Sequence, residues 1–269
     1  MFKGFNTAAS AMIAQQRHTE MLSNNLANVN TPGYKSDQGV LRAFPEMLLQ
    51  RIGGQSVPGL DRTLPTTTPI GALNTGVYLQ ETIPQFTQGD IQETNRFSDL
   101  ALVQAALPDE NGAVFFAVQN EAGEPRYTRN GSFHVDDNGS LVNAEGRFVL
   151  SAASEQIQLA SGTFTVSEDG VITDAAGNAT ALNIAYSAAP QEELVREGTG
   201  LYRADGAALG QAPAGFIVRQ GALERSSVDL NETMVNMMSS YRLFEASQRV
   251  VKAYDESMGK AVNDVGRIG

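Results

Sequence analysis

Two heptad stripes, one at each end of the chain, constrain this sequence more than anything between them. From Phe5, steps of three and four run through Ala8, Met12, Gln15, Thr19, Leu22, Leu26 and Val29, with Gln15 and Thr19 as polar interruptions. A 3.5-residue period keeps side chains on one face of a supercoiled helix pair. Asn28, Asn30, Thr31, Pro32 and Gly33 then stop the helix, because proline cannot continue it and glycine permits the reversal. The second stripe is longer: Leu230, Met234, Met237, Tyr241, Phe244, Gln248, Val251, Asp255, Met258, Val262 and Val265. Asp229 followed by Glu232 fits an N-cap with a carboxylate three positions on. Gly266 and Gly269 fit the frayed end. A single stripe would also suit an amphipathic helix lying on a globular core. Two stripes at opposite ends, with no other long helical period between them, favour pairing of the ends. Such a hairpin buries each seam on one side only, so copies from other chains could bury the rest.

The middle carries a different pattern. Six of the ten prolines lie between Pro32 and Pro84, with Gly53, Gly54, Gly59, Gly71, Gly76 and the run Thr66-Thr67-Thr68. This reads as extended linker, with one short amphipathic helix expected at Phe44–Ile52, where Phe44, Met47, Leu48 and Ile52 share a face. From about residue 77 to 221 turn signals crowd together: Asp109-Glu110-Asn111-Gly112, Asn130-Gly131, Asp137-Asn138-Gly139, Glu145-Gly146, Asp169-Gly170, Gly177-Asn178 and Asp205-Gly206. Short apolar runs lie between them, among them Val114–Gln119, Ser132–Val135, Ser140–Val142, Phe148–Leu150, Phe164–Val166 and Leu182–Tyr186. That spacing suggests an all-β sandwich or barrel-like domain. The expected class is therefore α+β: discontinuous N- and C-terminal helices forming a coiled-coil-like unit, with a mainly antiparallel β middle.

Charge divides along the same lines. The net charge is −11, from 19 basic and 30 acidic residues. Lys3, Arg17 and Lys35 against Glu20 leave residues 1–35 at +2, and residues 222–269 stand at −1, so residues 36–221 carry −12. An acidic middle repels phosphate backbones, and no nucleic-acid binding is expected. The near-neutral ends can pack closely against copies of themselves. The absence of cysteine excludes disulfides, zinc–thiolate sites and thiol catalysis. The longest apolar stretches, such as Ala113–Val118, fall far short of the ~20 residues of a membrane span, so no membrane insertion is expected. Asn6, Gln15, Gln16 and Arg17 interrupt the first twenty residues, and no cleaved secretory signal is expected.

Reactive constellations are not visible. Neither a Gly-x-Ser-x-Gly elbow nor a phosphate-binding Gly-x-x-x-x-Gly-Lys loop occurs. Gly198-Thr199-Gly200 lacks a third glycine and reads as a turn. Asp136-Asp137-Asn138-Gly139 lacks the alternating ligands and final glutamate of a calcium loop. His18 lies on the first helix beside Arg17, where a surface or subunit contact fits. His134 sits in a strand run near Asp136 and Asp137, but nothing supplies a nucleophile. Met234, Met237, Met238 and Met258 read as adaptable packing. No catalytic residue, metal or cofactor is expected.

The segment Ser23-Asn24-Asn25-Leu26-Ala27-Asn28-Val29-Asn30-Thr31-Pro32-Gly33-Tyr34-Lys35 resembles the N-terminal signature of bacterial flagellar rod, hook and hook-associated proteins. Gln220-Gly221-Ala222-Leu223-Glu224-Arg225-Ser226-Ser227-Val228-Asp229-Leu230 resembles that family's approach to its terminal helix, with Ser227 where Asn is usual. Met234–Tyr241, Phe244-Glu245-Ala246 and Val251 continue the likeness. Thr87–Thr94 and Tyr127–Phe133 resemble the rod branch, whereas Leu102–Asn111 departs from the family pattern. The resemblance implies a non-enzymatic subunit of the flagellar basal body. It would be exported without a cleaved signal by the flagellar type III apparatus and polymerise through its terminal helices into a helical tube. Its partners would be copies of itself and other rod and hook proteins. Implied domains are 1–35 with 222–269 for polymerisation, 36–80 as linker and 81–221 as a β-rich outer domain. Implied subunit-contact residues are Phe5, Met12, Leu22, Leu26, Leu230, Met234, Met237, Tyr241, Phe244, Val251, Met258 and Val262. The alternative is a cell-wall or carbohydrate binding module anchored by its helices.

Overall fold

The computed structural model describes residues 2–56, 63–109, 111–160, 162–198 and 200–266. Gly59, Glu110, Thr199 and Gly269, which the sequence reading placed in linker, turns and frayed end, lie outside them. The elements run α1 (Phe2–Ala27), β1 (Asp37–Ala43), β2 (Met47–Ser56), β3 (Thr63–Leu73), β4 (Val77–Pro84), β5 (Ile91–Glu93), β6 (Leu100–Gln104), β7 (Ala113–Gln119), β8 (Pro125–Thr128), β9 (Phe133–Val135) and β10 (Leu141–Asn143). They continue with β11 (Phe164–Val166), β12 (Val171–Asp174), β13 (Ala179–Ala181), β14 (Ile184–Ser187), α2 (Pro190–Glu193), β15 (Leu194–Arg196), β16 (Leu201–Ala204), β17 (Gly210–Gln211), β18 (Phe216–Gln220), β19 (Ala222–Glu224) and α3 (Leu230–Gly266). The chain thus opens and closes on long helices of 26 and 37 residues, with strands between. Among the described residues no helix is long and apolar enough to cross a membrane.

Two compact units emerge. The first gathers Met1–Ser23, Gly39–Thr82 and Met234–Gly269; the second gathers Asn24–Gln38 and Ile83–Thr233. In the second, a six-stranded sheet of order β15-β16-β8-β7-β14-β17 is joined by the pairs β18-β6, β19-β5 and β10-β9 and by the three-stranded β11-β12-β13. These pairings are antiparallel. The apolar run Ala113–Val118 becomes β7, which is buried on both faces. Val114, Phe116 and Val118 join one core cluster, while Ala113, Phe115 and Ala117 join another. That is why this strand reads as continuously apolar rather than alternating. Phe116 meets Phe133 edge-on at 5.1 Å, and Phe115 lies 5.9 Å from Tyr202. Each buried phenylalanine contributes about 1.5–3 kcal/mol relative to exposure.

The first unit holds most of both helices and the β2–β3 hairpin. The expected helix at Phe44–Ile52 is overturned: Met47 begins β2, which pairs with β3 in antiparallel register from Met47↔Leu73 to Ser56↔Thr63. A short apolar run fits either period, and its partner decides. The β-branched Thr66–Thr68 on β3 supplies a ladder, and Gly53-Gly54 disfavours a helical continuation. At α3 the expected cap is present. The Glu232 N–H donates to Asp229 Oδ1 at 3.0 Å, and the Thr233 N–H donates to the Asp229 carbonyl.

Candidate functional site: a buried clamp and an open helix face

The asparagine-rich segment does its work where α1 ends, inside the second unit. Asn25 is buried, and its side-chain amide pairs with the backbone of Asp37 in both directions, at 2.8 and 2.9 Å. Asn28 donates to the Asn24 carbonyl, and Thr31 donates to Asn28 Oδ1. The Tyr34 hydroxyl donates to Asn24 Oδ1 at 3.2 Å. Pro32 prevents a further helical turn, and Gly33 reverses the chain at φ +67°. Only glycine fits there, because a Cβ would collide with the backbone carbonyl group of Arg129. Gly131 is constrained in the same way by the Leu100 carbonyl oxygen.

The reversed loop is fastened to the strand that leads towards α3. The Gly33 N–H donates to the Glu224 carbonyl at 2.8 Å, and the Ser227 N–H donates to the Tyr34 carbonyl at 3.0 Å. The Ser36 N–H donates to Ser227 Oγ. At the centre, Glu224 accepts from Lys35 Nζ at 2.7 Å, from the Gly89 N–H at 2.8 Å and from Arg129 Nε at 2.8 Å. Lys35 also donates to the Thr87 carbonyl, and Arg129 to those of Val114 and Leu102. All three charged side chains are about 1% exposed. Burial and the neighbouring Arg129 push the Lys35 ammonium down to about 8, against the pull of Glu224. Burial would raise Glu224, but Arg129 and Lys35 outweigh it and hold its carboxyl below the usual range.

A second cationic contact closes the loop from the other side. Arg196 lies over the Tyr34 ring at 4.9 Å, bonds Asp37 at 2.5 Å and donates to the Lys35 carbonyl at 2.7 Å. Burial raises Tyr34 and Asp37 above their usual values, with Arg196 opposing both. The clamp thus joins Asn24, Asn25, Asn28, Thr31, Gly33, Tyr34 and Lys35. Ser23, Ala27 and Asn30 stay exposed, and Pro32 is half-buried. Sequence reading missed Glu224, Arg129 and Arg196 as partners of this loop. The first two lie in segments it singled out, and a lone charge within an otherwise apolar or turn-forming motif was the available signal.

The helix faces are arranged differently. On α3 the residues withdrawn from solvent are Thr233, Met237, Ser240, Phe244, Ser247, Val251, Tyr254 and Met258, again in steps of four and three, with Glu245 half-buried beside them. Met237, Phe244, Val251 and Met258 belong to the stripe read from sequence. Thr233, Ser240, Ser247 and Tyr254 each stand one position before its other row. That other row stays in water: Met234 is 42% exposed, Tyr241 55% and Val262 72%, with Leu230 also exposed. On α1, Ala14, Met21 and Leu22 are buried, whereas Phe5, Met12 and Leu26 are half-buried. Within the first unit, His18 Nδ1 and Ser240 Oγ are 2.7 Å apart, and Gly4 faces the Tyr254 hydroxyl so closely that a Cβ would collide. Gly4 on α1 leaves room for the Tyr254 ring, and the covered face of α3 runs through Ser240 and Tyr254 rather than through Met234 and Tyr241. Thr19, Met237, Met238, Tyr241 and Arg242 line an apolar depression of about 270 Å³. Burial lowers His18 below its usual value. Among the described residues no three His, Cys, Asp or Glu side chains stand where they could hold a metal ion.

The structure shows long helices near both ends of the described chain and a buried ionic clamp in the second unit. Family comparisons give the class of protein, a flagellar structural protein. The flagella basal body rod protein family matches residues 5–35, the flagellar hook protein FlgE/F/G D1 domain matches 111–174, and the flagellar basal body rod FlgEFG C-terminal family matches 219–264. The flagellar hook-basal body complex protein FlhO of Bacillus subtilis is 44% identical over the full length of both chains. The flagellar basal-body rod protein FlgG of Borreliella burgdorferi is 30% identical over 98% of each. FlgF of Escherichia coli, also a basal-body rod protein, is 30% identical over 94% of this chain and 93% of its own. The chain belongs to the flagellar hook–basal body rod family.

Proposed function

We propose that this chain is an axial subunit of the basal-body rod that polymerises through its terminal helices into a helical tube. The observation that carries the reading is the open apolar row of α3, Leu230, Met234, Tyr241 and Val262, lying beside a row already covered within the chain. An apolar face wider than one partner can cover stabilises an assembly in which a neighbour covers the remainder. In that tube α1 and α3 pair in a coiled-coil-like inner layer, built from 1–35 and 222–269. The linker 36–80 joins it to residues 81–221, whose acidity suits an outer layer, because like charges lining a narrow channel repel. Copies of the chain and other rod and hook proteins are its partners. It reaches the basal body through the flagellar type III export apparatus without a cleaved signal, and it performs no catalysis.

The test replaces Tyr241 and Phe244 by Ala in the full chain. Their rings are 6.4 Å apart on α3. The expected result is loss of the subunit from purified basal bodies and loss of swimming, with the β-rich unit melting as in the parent. Normal incorporation and motility would refute the helix-face assignment.

A further inference from the structure

We propose that an amide-lined cleft in the second unit binds an uncharged oligosaccharide carrying acetamido groups. The cleft has a volume of about 500 Å³, within the range of small-ligand sites. Three connections wall it: the stretch between β4 and β5, the end of β6 with the approach to β7, and the segment that enters α2. Five of its twelve described lining residues are carboxamides: Gln85, Gln88, Gln104, Asn111 and Gln191. Glu192 is the one charged side chain among those twelve. A phosphate or carboxylate ligand would find no counter-ion there and would meet acidic surroundings. A carboxamide both donates and accepts, as do a sugar hydroxyl and an acetamido group. The half-buried Phe86 adds an apolar ring to cover a pyranose face or an acetamido methyl.

The walls are set without a ligand. Phe86 stands edge-on to Phe115 at 5.5 Å and lies 5.2 Å from Tyr202. The Tyr186 hydroxyl donates to Asp109 Oδ2 at 2.6 Å, and a Cβ at Gly112 would come within 2.6 Å of the same hydroxyl. These contacts fix the loop that carries Asn111. Hydrogen-bonding capacity is left over. Gln104 Nε2 is buried and has no partner among the described residues. Such a donor is rare, and it marks a place where something outside the chain supplies the acceptor. The Gln104 N–H is already taken by Gln88 Oε1 at 2.9 Å. The end of β6 therefore offers no backbone donor there to an added peptide strand, which favours a glycan over a peptide. Gln104 and Asn111 lie in Leu102–Asn111, the stretch that departs from the rod-family pattern, so the shared rod architecture does not account for them.

Failure here would leave the axial-subunit reading untouched, because assembly through the terminal helices does not depend on this cleft. The full-length chain is titrated calorimetrically with chitotetraose, cellotetraose and tetra-alanine. Chitotetraose should bind about tenfold more tightly than cellotetraose, which shares its linkage but lacks the acetamido groups. Asn111→Ala combined with Gln191→Ala changes two exposed side chains and should weaken chitotetraose binding about tenfold, with an unchanged unfolding midpoint. Gln104→Leu removes the unpaired donor and should weaken binding without lowering the midpoint. No binding of chitotetraose at about 10 mM, equal binding of cellotetraose, or binding of tetra-alanine in its place would each overturn the inference. So would binding that these variants leave intact, which puts the sugar elsewhere. A lowered midpoint in Gln104→Leu would show that the amide is already satisfied, with the same consequence.

Discussion

Around Glu224, three charged side chains have lost nearly all contact with water, and each has found partners within the chain. Along α3, large apolar side chains keep half their surface in water. The first region is complete in a single copy, because a buried charge left unpaired costs several kcal/mol and has to be satisfied internally. The second is incomplete by the same measure, since apolar area gains stability only when something covers it. Substitutions should therefore separate the two: at the clamp they act on folding of the isolated chain, and on the open row they act on association.

The largest effect is expected at the hub. Glu224→Gln keeps the shape but leaves the Lys35 and Arg129 charges buried without a counter-ion, which should cost about 3–5 kcal/mol in urea unfolding. A loss below 1 kcal/mol would mean that the clamp is dispensable and the contrast false. Gly33→Ala comes next. Left-handed backbone costs an alanine about 1–2 kcal/mol, and its Cβ would also meet the Arg129 carbonyl group. The unfolding midpoint should fall, whereas Gly146→Ala should lose only the backbone part, because no atom stands within 4 Å of its added Cβ.

Lys35 sharpens the comparison through pH. Its ammonium is pushed down to about 8 from an ordinary 10.5. Between those values the unfolded chain holds a proton that the folded chain has released, so this group adds stability as pH rises through the window. Burial and the repulsion of Arg129 outweigh the attraction of Glu224. The stability of the parent relative to Lys35→Met should therefore grow from pH 8 to pH 10.5 in paired denaturation curves. A flat or falling difference would mean that the ammonium is stabilised where it lies.

Much of this molecule is legible from sequence because the relevant signals are local. The heptad rows, the Asp229 cap, the Pro32-Gly33 stop and the run that becomes β7 each follow from spacing or backbone chemistry within a dozen residues. Two things are not local. Within Phe44–Ile52 the strand begins at Met47 because β3 offers a ladder there, and a run of that length cannot specify its own period. The clamp joins Lys35 to Glu224 across 189 positions and Glu224 to Arg129 across 95, so no window along the chain contains it. The same limit explains the turned face of α3. The sequence stripe marks an apolar surface, but Ser240 opposite His18 and Gly4 opposite Tyr254 decide which edge of it α1 covers.

The smallest effect on the isolated chain should come from the open row, and there the comparison is most exposed to failure. Tyr241 of that row and Met238 beside it are each 55% exposed. Replacing both by Ser removes apolar surface that water already reaches, and exposed substitutions away from special features usually stay within about 0.5 kcal/mol. Unfolding of the monomer should therefore be nearly unchanged while assembly into rods is lost. If the double variant instead unfolds as readily as Glu224→Gln, the row is part of the chain's own core. The apolar excess of α3 would then belong to folding, and the distinction between a finished clamp and an unfinished face would disappear.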